Sequence, residues 1–214
     1  MLTEKINEAL EVNRSEEKTR DYVGASEIGH PCLRKVWYSY HLQQARRSIP
    51  PKLLLTFEIG HYIERMVIDL LQKSKLTVLR DMPVEDVKLP IKGHVDAFLI
   101  DGNGEVHIIE IKSACNAQFN IFKSKGLVGW KMQYYAQVQA YMGINKVNNA
   151  TLIAVNKDTA ELHEESVTFE PDYYGRLLER AETVINSDEP PERINKNPCF
   201  FICKMCSFAR VCHE

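Results

Sequence analysis

No apolar run in this sequence approaches the roughly 20 residues a membrane-spanning helix needs, so a bilayer-spanning role is not expected. Nor is there an excess of either charge: 27 Lys and Arg against 29 Asp and Glu give a formal net charge of −2. That excludes a wholesale polycation but leaves room for a local basic groove beside acidic ligands. Arg34–Lys35, Arg46–Arg47 and the trio Lys123, Lys125 and Lys131 are local basic clusters, or else ordinary solvated surface. The sequence has no internal repeat and no low-complexity tract. Its start, MLTEKINEALEVNRSEEK, lacks the basic beginning and apolar centre of a signal peptide. A cytoplasmic location is therefore expected. There, six cysteines favour metal binding or reactivity over a disulfide framework. At 214 residues the chain suits one domain, or one with a small appendage.

The pattern predicts a helix over residues 2–12 and a polar stretch to about Tyr22. Ser26 has the chemistry to cap a short helix carrying Cys32, Val36, Trp37 and Tyr40. A Pro-Pro break at 50–51 precedes a strong helix over about 52–73. Strands follow at 93–100 and 105–113, joined by Asp-Gly-Asn-Gly. A helix over 129–141 has Gly143 as its expected C-cap. ATLIAVNKD reads as a strand, ELHEESVTF as a second, and Pro171 opens a helix to about Asn186. The expected fold is a mixed α/β core with a cysteine-pinned lobe.

The hairpin carries the chemistry. Asp96 sits inside the apolar strand GHVDAFLI, and Glu110 and Lys112 inside HIIEIKSA. Strand side chains alternate, so Glu110 and Lys112 share one face and Ile109 and Ile111 the other. A three-residue loop, Gly102-Asn103-Gly104, sets Asp101 opposite Glu105 and hence Asp96 opposite Glu110. A two-residue loop would put Asp96 opposite Ile109, on the wrong face. The longer loop, with Gly104 in a left-handed bulge, is the expected one. Asp96, Glu110 and the Ile111 carbonyl then offer hard oxygen ligands for Mg²⁺ or Mn²⁺. Such an ion polarises a phosphodiester and acidifies bound water, and Lys112 can orient that water or offset developing charge. The plainer alternative is a structural ion pair between Lys112 and a carboxylate.

On the helix around 57–71, Glu58, His61, Arg65 and Asp69 form a polar stripe, with His61 read as a surface residue. Ile63, Met66, Val67, Leu70 and Leu71 form the apolar face. Glu64 falls on the row of Val67, Ile68 and Leu71. An inward carboxylate needs a partner, either a metal shared with Asp96 and Glu110 or a lysine. Gln133, Gln137 and Tyr141 share one helix face, which can bind phosphates, bases or the attacking water, or is simply an exposed glutamine face. In the tail, Cys203, Cys206 and Cys212 are spaced C-x2-C-x5-C, and Cys32 is the best fourth ligand. Four thiolates suit a [4Fe–4S] cluster or Zn²⁺ equally in softness. Cys199 is a spare that could replace Cys203, and Cys115 reads as a small buried side chain.

Six segments, SEIGHPCLRKVWY, FEIGHYIE, GHVDAFL, IIEIKS, QVQAY and CKMCSFARVC, occur in the order of known motifs. Over nearly its whole length the chain resembles the RecB-like branch of the PD-(D/E)XK nucleases. Closest are the CRISPR-associated and phage exonucleases with a four-cysteine [4Fe–4S] cluster. The resemblance implies a restriction-endonuclease-like core over 52–187, with a mixed sheet flanked by helices, within one nuclease domain of 1–214. It implies an Fe–S lobe from 24–40 plus 195–214, built on Cys32, Cys203, Cys206 and Cys212. Asp96, Glu110 and Lys112 become the catalytic core and Gln137 and Tyr141 the DNA-side motif, with Gln133, Arg34 and Lys35 as further DNA contacts. Many members carry histidine four residues after the helix glycine, where this chain has Glu64, read here as the replacing ligand. The implied activity is Mg²⁺- or Mn²⁺-dependent exonuclease cleavage of single-stranded DNA or DNA ends, in a prokaryotic cell or phage-infected host. Recombination or CRISPR adaptation proteins, or further copies of the chain, would be its partners. The competing readings are a non-catalytic DNA-binding or assembly module held by the cysteine site, and a zinc-ribbon protein with an incidental acidic hairpin.

Overall fold

The computed structural model describes residues 1–15 and 20–214. Helix α1 spans Leu2–Ser15, and the polar stretch expected after it falls partly on residues outside those described. A two-residue strand β1 (Val23–Gly24) leads through a turn to α2 (Leu33–His41), whose N-cap is Cys32. Ser26 caps nothing; it lies in the turn before. Helix α3 (Pro51–Lys73) starts with proline in its first turn, where the missing N–H costs nothing. Three strands follow, β2 (Thr77–Glu85), β3 (Ile91–Ile100) and β4 (Val106–Ala114). The chain continues through α4 (Asn116–Asn145), β5 (Asn149–Asn156), β6 (Leu162–Thr168) and α5 (Pro171–Asn186). It ends in two short helices, α6 (Phe201–Lys204) and α7 (Ala209–His213).

The strands form one mixed sheet in the order β1-β3-β4-β5-β6, with β2 on β3's other edge. β1–β3 and β4–β5 are parallel and the remaining pairs antiparallel. A large cluster under α2, α4 and α5 includes Phe119, Phe122, Leu127, Met142 and Leu152. A smaller one under α3 joins Val67 and Ile68 to Ala97, Ile109, Ile111 and Ile153. The protein is thus an α/β fold with a mixed sheet flanked by helices. Among the described residues no helix is long and apolar enough to cross a membrane.

Four expectations change. Strand β2 was hidden because TVLRDMPVE buries only Val78 and Val84, leaving no apolar alternation to read. Helical structure begins at Asn116, well before 129, and departs from helical geometry at Gly126 and Lys131. The C-cap of α4 is Lys146, in a left-handed conformation, while Gly143 lies inside the helix. A Cβ there would come within 2.6 Å of the Tyr174 ring, so that glycine serves close packing. Met66 and Leu70, expected in the core, are 49% and 56% exposed. Val67 and Ile68 face the sheet instead.

Candidate active site

The acidic site forms where β3 and β4 part. Their hairpin has the three-residue loop: Asp101 N–H donates to Glu105 O at 3.0 Å, and Gly104 has φ +82°. Pairing runs from Ile100↔Val106 to Ala97↔Ile109, which leaves Asp96 and Glu110 facing one another just beyond the ladder. On the same edge β1 pairs only with Ile91 and Lys92. Residues 93–96 of β3 therefore border a gap between β1 and β4. Into it turns the Asp96 carboxylate, whose Oδ2 accepts the Ile111 N–H at 2.7 Å. Glu110 is fully buried. One of its oxygens accepts from Lys112 Nζ, while Oε2 has no hydrogen-bond partner. Lys112 lies on the same strand face, its side chain 20% exposed. Glu64 is half-buried on α3, near enough to feel the charges of Asp96 and Lys112.

Crowding shows in the protonation equilibria. Burial, then the Asp96 charge, pushes the Glu110 carboxyl up to about 8, against the pull of Lys112. Burial and Asp96 likewise push Glu64 up to about 7. Burial raises Asp96 as well, opposed by Lys112 and the Ile111 N–H. Burial works to lower the Lys112 ammonium, but Glu110 and Asp96 outweigh it and hold it above the usual lysine range. Three carboxylates surround one partly buried ammonium, and the buried Glu110 Oε2 has no donor. Uncompensated buried charge of this kind is costly unless a cation joins it. The orphaned Glu110 Oε2, the second Asp96 oxygen and Glu64 are hard donors of the type Mg²⁺ and Mn²⁺ prefer, so the residues present fit such an ion. The Ile111 carbonyl belongs to the same stretch of β4.

Two neighbours escaped the sequence reading. Asp81 stands across from Asp96, since Arg80 pairs with Ala97 and Met82 with Val95. Its φ is +51°, and its charge raises both Glu64 and Asp96. It could be found only with β2 in hand. His61, read as a surface residue, is exposed but lines one cleft with Glu58, Glu64, Arg65, Arg80 and Asp81.

The glutamine face differs from an exposed DNA surface. Gln137 and Tyr141 are only 6% and 2% exposed. Gln137 Nε2 donates to the Tyr141 hydroxyl at 3.1 Å. Burial, then the Glu110 charge, pushes that hydroxyl up, so Tyr141 stays protonated. Gly93 makes room for it: a Cβ there would lie 2.7 Å from Tyr141 Cε1. Gln133 spends its amide on the Ser26 carbonyl, at 2.7 Å. Arg34 and Lys35 are also committed elsewhere. Arg34 donates to Tyr38 and to the Pro190 and Pro191 carbonyls, and Lys35 pairs with Glu27 at 3.6 Å. Both line the cysteine cavity rather than the acidic gap.

That cavity is lined by Cys32, Cys203, Cys206 and Cys212, together with His213, Arg193 and Ile202. The four cysteines are buried or half-buried, whereas Cys199 and Cys115 are exposed. Cys115, expected to be buried, is the N-cap of α4. Among the described residues the one set of three potential ligands within 4.8 Å of each other is Asp101, Glu105 and His107, at the hairpin tip. Neither the buried acids nor the thiols are drawn together that tightly.

Comparison with curated proteins finds no match. Among solved structures, SSO0001 superposes with a TM-score of 0.65 at 18% identity, over 99% of this chain and 96% of that one. The alkaline exonuclease LHK-Exo from Laribacter hongkongensis gives 0.59 at 11% identity, over 83% of this chain and 90% of its own. Its complex with dAMP gives 0.58 at 12% identity, over 77% and 86%. At such identities the likeness speaks for the fold. The sequence itself matches the profile of the PD-(D/E)XK nuclease superfamily over residues 8–213, a span that takes in the parted hairpin, its acid–lysine trio and the cysteine tail. The chain belongs to the PD-(D/E)XK nuclease superfamily.

Proposed function

We propose that this protein is a Mg²⁺- or Mn²⁺-dependent deoxyribonuclease that hydrolyses phosphodiester bonds of single-stranded DNA or DNA ends. The observation that carries this reading is the buried Glu110 with one oxygen on Lys112 and the other without a donor, facing Asp96 across the gap. Glu64, Asp96, Glu110 and the Ile111 carbonyl are the residues that would hold the ion. When bound, it acidifies a water and polarises the phosphate. The chain's own groups do the rest. Lys112 remains an ammonium and offsets negative charge developing on the phosphoryl oxygens. Tyr141, kept protonated and held by Gln137, fixes the wall beside Glu110. Family membership and the exonuclease among its structural neighbours agree with this activity.

The whole chain works as one nuclease unit, with the core over 52–187 and a cysteine lobe from 24–40 plus 195–214. In that lobe Cys32, Cys203, Cys206 and Cys212 hold a [4Fe–4S] cluster. Their convergence on one cavity supports a shared metal centre. The biological setting is phage or prokaryotic recombination, repair or CRISPR adaptation.

The test uses protein purified without air and end-labelled single- and double-stranded DNA, with Mn²⁺, Mg²⁺ or EDTA. Lys112→Ala and Glu110→Ala run alongside. Metal-dependent cleavage lost in both variants establishes the activity, and the label gives its polarity. Binding without cleavage in any metal would replace it with the DNA-binding module. Iron and sulfide content, against stoichiometric zinc, decides the cysteine site.

A further inference from the structure

The interruption in α4 builds a feature that the catalytic trio does not explain. At Gly126 the backbone turns to φ +68°, and Lys131 is extended at φ −152°, ψ 98°. The turn is anchored from behind. Glu165 of β6 accepts the Leu127 N–H at 2.8 Å. Trp130 donates its indole N–H to Gln118 at 3.1 Å and stacks on Phe122, with centroids 5.0 Å apart. Leu127 and Trp130 are buried, while Lys125, Val128, Lys131 and Met132 are exposed.

Just beyond stands Tyr134, half-buried, its ring edge-on to Trp130 at 5.2 Å. Lys112 Nζ lies 5.1 Å from the Tyr134 ring centroid and Lys131 Nζ 4.7 Å from it. Lys131 also donates to the Tyr134 hydroxyl at 3.1 Å. One partly open aromatic ring therefore bridges the ammonium beside Glu110 and an ammonium on the outer surface. Neither Lys125 nor Lys131 has a carboxylate partner among the described residues, unlike the neighbouring Lys123, which pairs with Glu161.

We infer that residues 125–134 form a track for a single DNA strand, in which Tyr134 stacks the nucleobase next to the scissile phosphate and Lys131 and Lys125 take the phosphates leading away from it. Aromatic faces interleaved with unpaired cations are what single strands use, because every unpaired base offers a π-face and every linkage a charge. A paired duplex cannot lay a base on Tyr134 without opening, so the track selects frayed or single-stranded ends. The inference rests on the nuclease reading for its direction, since Lys112 marks the scissile end. The anchored turn gives it rigidity, because Glu165 and Gln118 fix the segment before any strand arrives.

The experiment uses the full-length protein in EDTA, where no cleavage occurs, and a single-stranded oligonucleotide carrying 2-aminopurine near its end. Stacking quenches the fluorophore. The wild type is expected to quench it. Tyr134→Phe keeps the quench, while Tyr134→Leu loses it and weakens binding about tenfold, as loss of one stacked base does. Lys131→Gln and Lys125→Gln each lower the slope of log affinity against log salt by about 0.7, the share of one phosphate contact on a single strand. With Mn²⁺ present, Lys131→Gln raises KM for single strands and leaves kcat in place. Both lysines are exposed and Tyr134→Phe preserves the ring, and an unchanged melting temperature in each variant, Tyr134→Leu included, excludes misfolding. Undiminished quench in Tyr134→Leu, or unchanged salt slopes in both lysine variants, overturns the track. A wild type that quenches through Tyr134 yet cleaves nothing in any metal sinks the nuclease reading and leaves the track standing.

Discussion

Glu110 makes the stability of the metal-free protein fall as pH rises, opposite to the usual behaviour of a salt-bridged carboxylate. In the fold its carboxyl titrates at about 8, against about 4.3 in an unfolded chain. A raised acid binds more protons folded than unfolded, so stability is greatest at low pH and is lost on ionisation through the folded value. Between pH 6.5 and 8.5 the Glu110 contribution becomes unfavourable by about 2 kcal/mol. Glu64, raised to about 7 but half-exposed, adds only a few tenths of a kcal/mol after discount for solvent screening. His30 works the other way: burial, then Lys35, lowers it to about 4. Its gain over the same window roughly cancels the Glu64 loss. For a chain of this size about 2 kcal/mol corresponds to a fall in Tm of roughly 4–8 °C. Thermal unfolding in EDTA, followed by circular dichroism at pH 6.5 and 8.5, measures it. Glu110→Gln keeps an acceptor for Lys112 and should flatten the dependence. Mn²⁺ should stabilise the wild type more at pH 8.5, because its ligands must be deprotonated. A flat profile in EDTA, or an equal fall in Glu110→Gln, would refute the assignment of a strained, buried acid.

Three further outcomes follow from the packing and the cysteine cavity. Gly93→Ala places a Cβ 2.7 Å from Tyr141 and should cost about 1–3 kcal/mol in a denaturant melt, with loss of cleavage as Tyr141 shifts from Glu110. Gly29→Ala would set two Cβ atoms 2.2 Å apart, its own and that of Ala136, and should destabilise by about 2 kcal/mol or more; a melt like the wild type would show the contact to be loose. Cys212→Ser should lose bound metal by elemental analysis while Cys199→Ser keeps it, because Cys212 lines the shared cavity and Cys199 is exposed outside it.

Local rules reached the hairpin because its loop chemistry sets its register. Asp-Gly-Asn-Gly favours the bulged three-residue turn over the two-residue one, and that register sets Asp96 opposite Glu110. The prolines opening α3 and α5 were legible for the same reason. Strand β2 was not, since a strand paired along one edge and largely exposed needs no apolar alternation. With it went Asp81. The broken α4 was illegible because its cause is tertiary: Glu165 on a distant strand holds the Gly126 turn. Burial of Gln137 and capture of Arg34 by Pro190 and Pro191 are likewise long-range facts. A polar residue on a helix face looks the same in sequence whether it meets water or a neighbour's carbonyl.

The four-cysteine cavity and the acidic gap are joined through residues 25–32. Cys32 lines the cavity, and its N–H donates to His30 Nδ1 at 3.1 Å. Arg180 of α5 grips the carbonyls of Ile28 and His30, at 3.2 and 2.6 Å. Gly29 packs on Ala136, and the Ser26 carbonyl takes the Gln133 amide. Ala136 is the neighbour in sequence of Gln137, which holds the Tyr141 hydroxyl beside Glu110. Each link is a hydrogen bond or a close contact, the Gln133 bond exposed and the Arg180 bonds part-buried. On the function proposed above, order in the four-cysteine cavity would set the position of residues 25–30 against α4, and with it the wall of the acidic site.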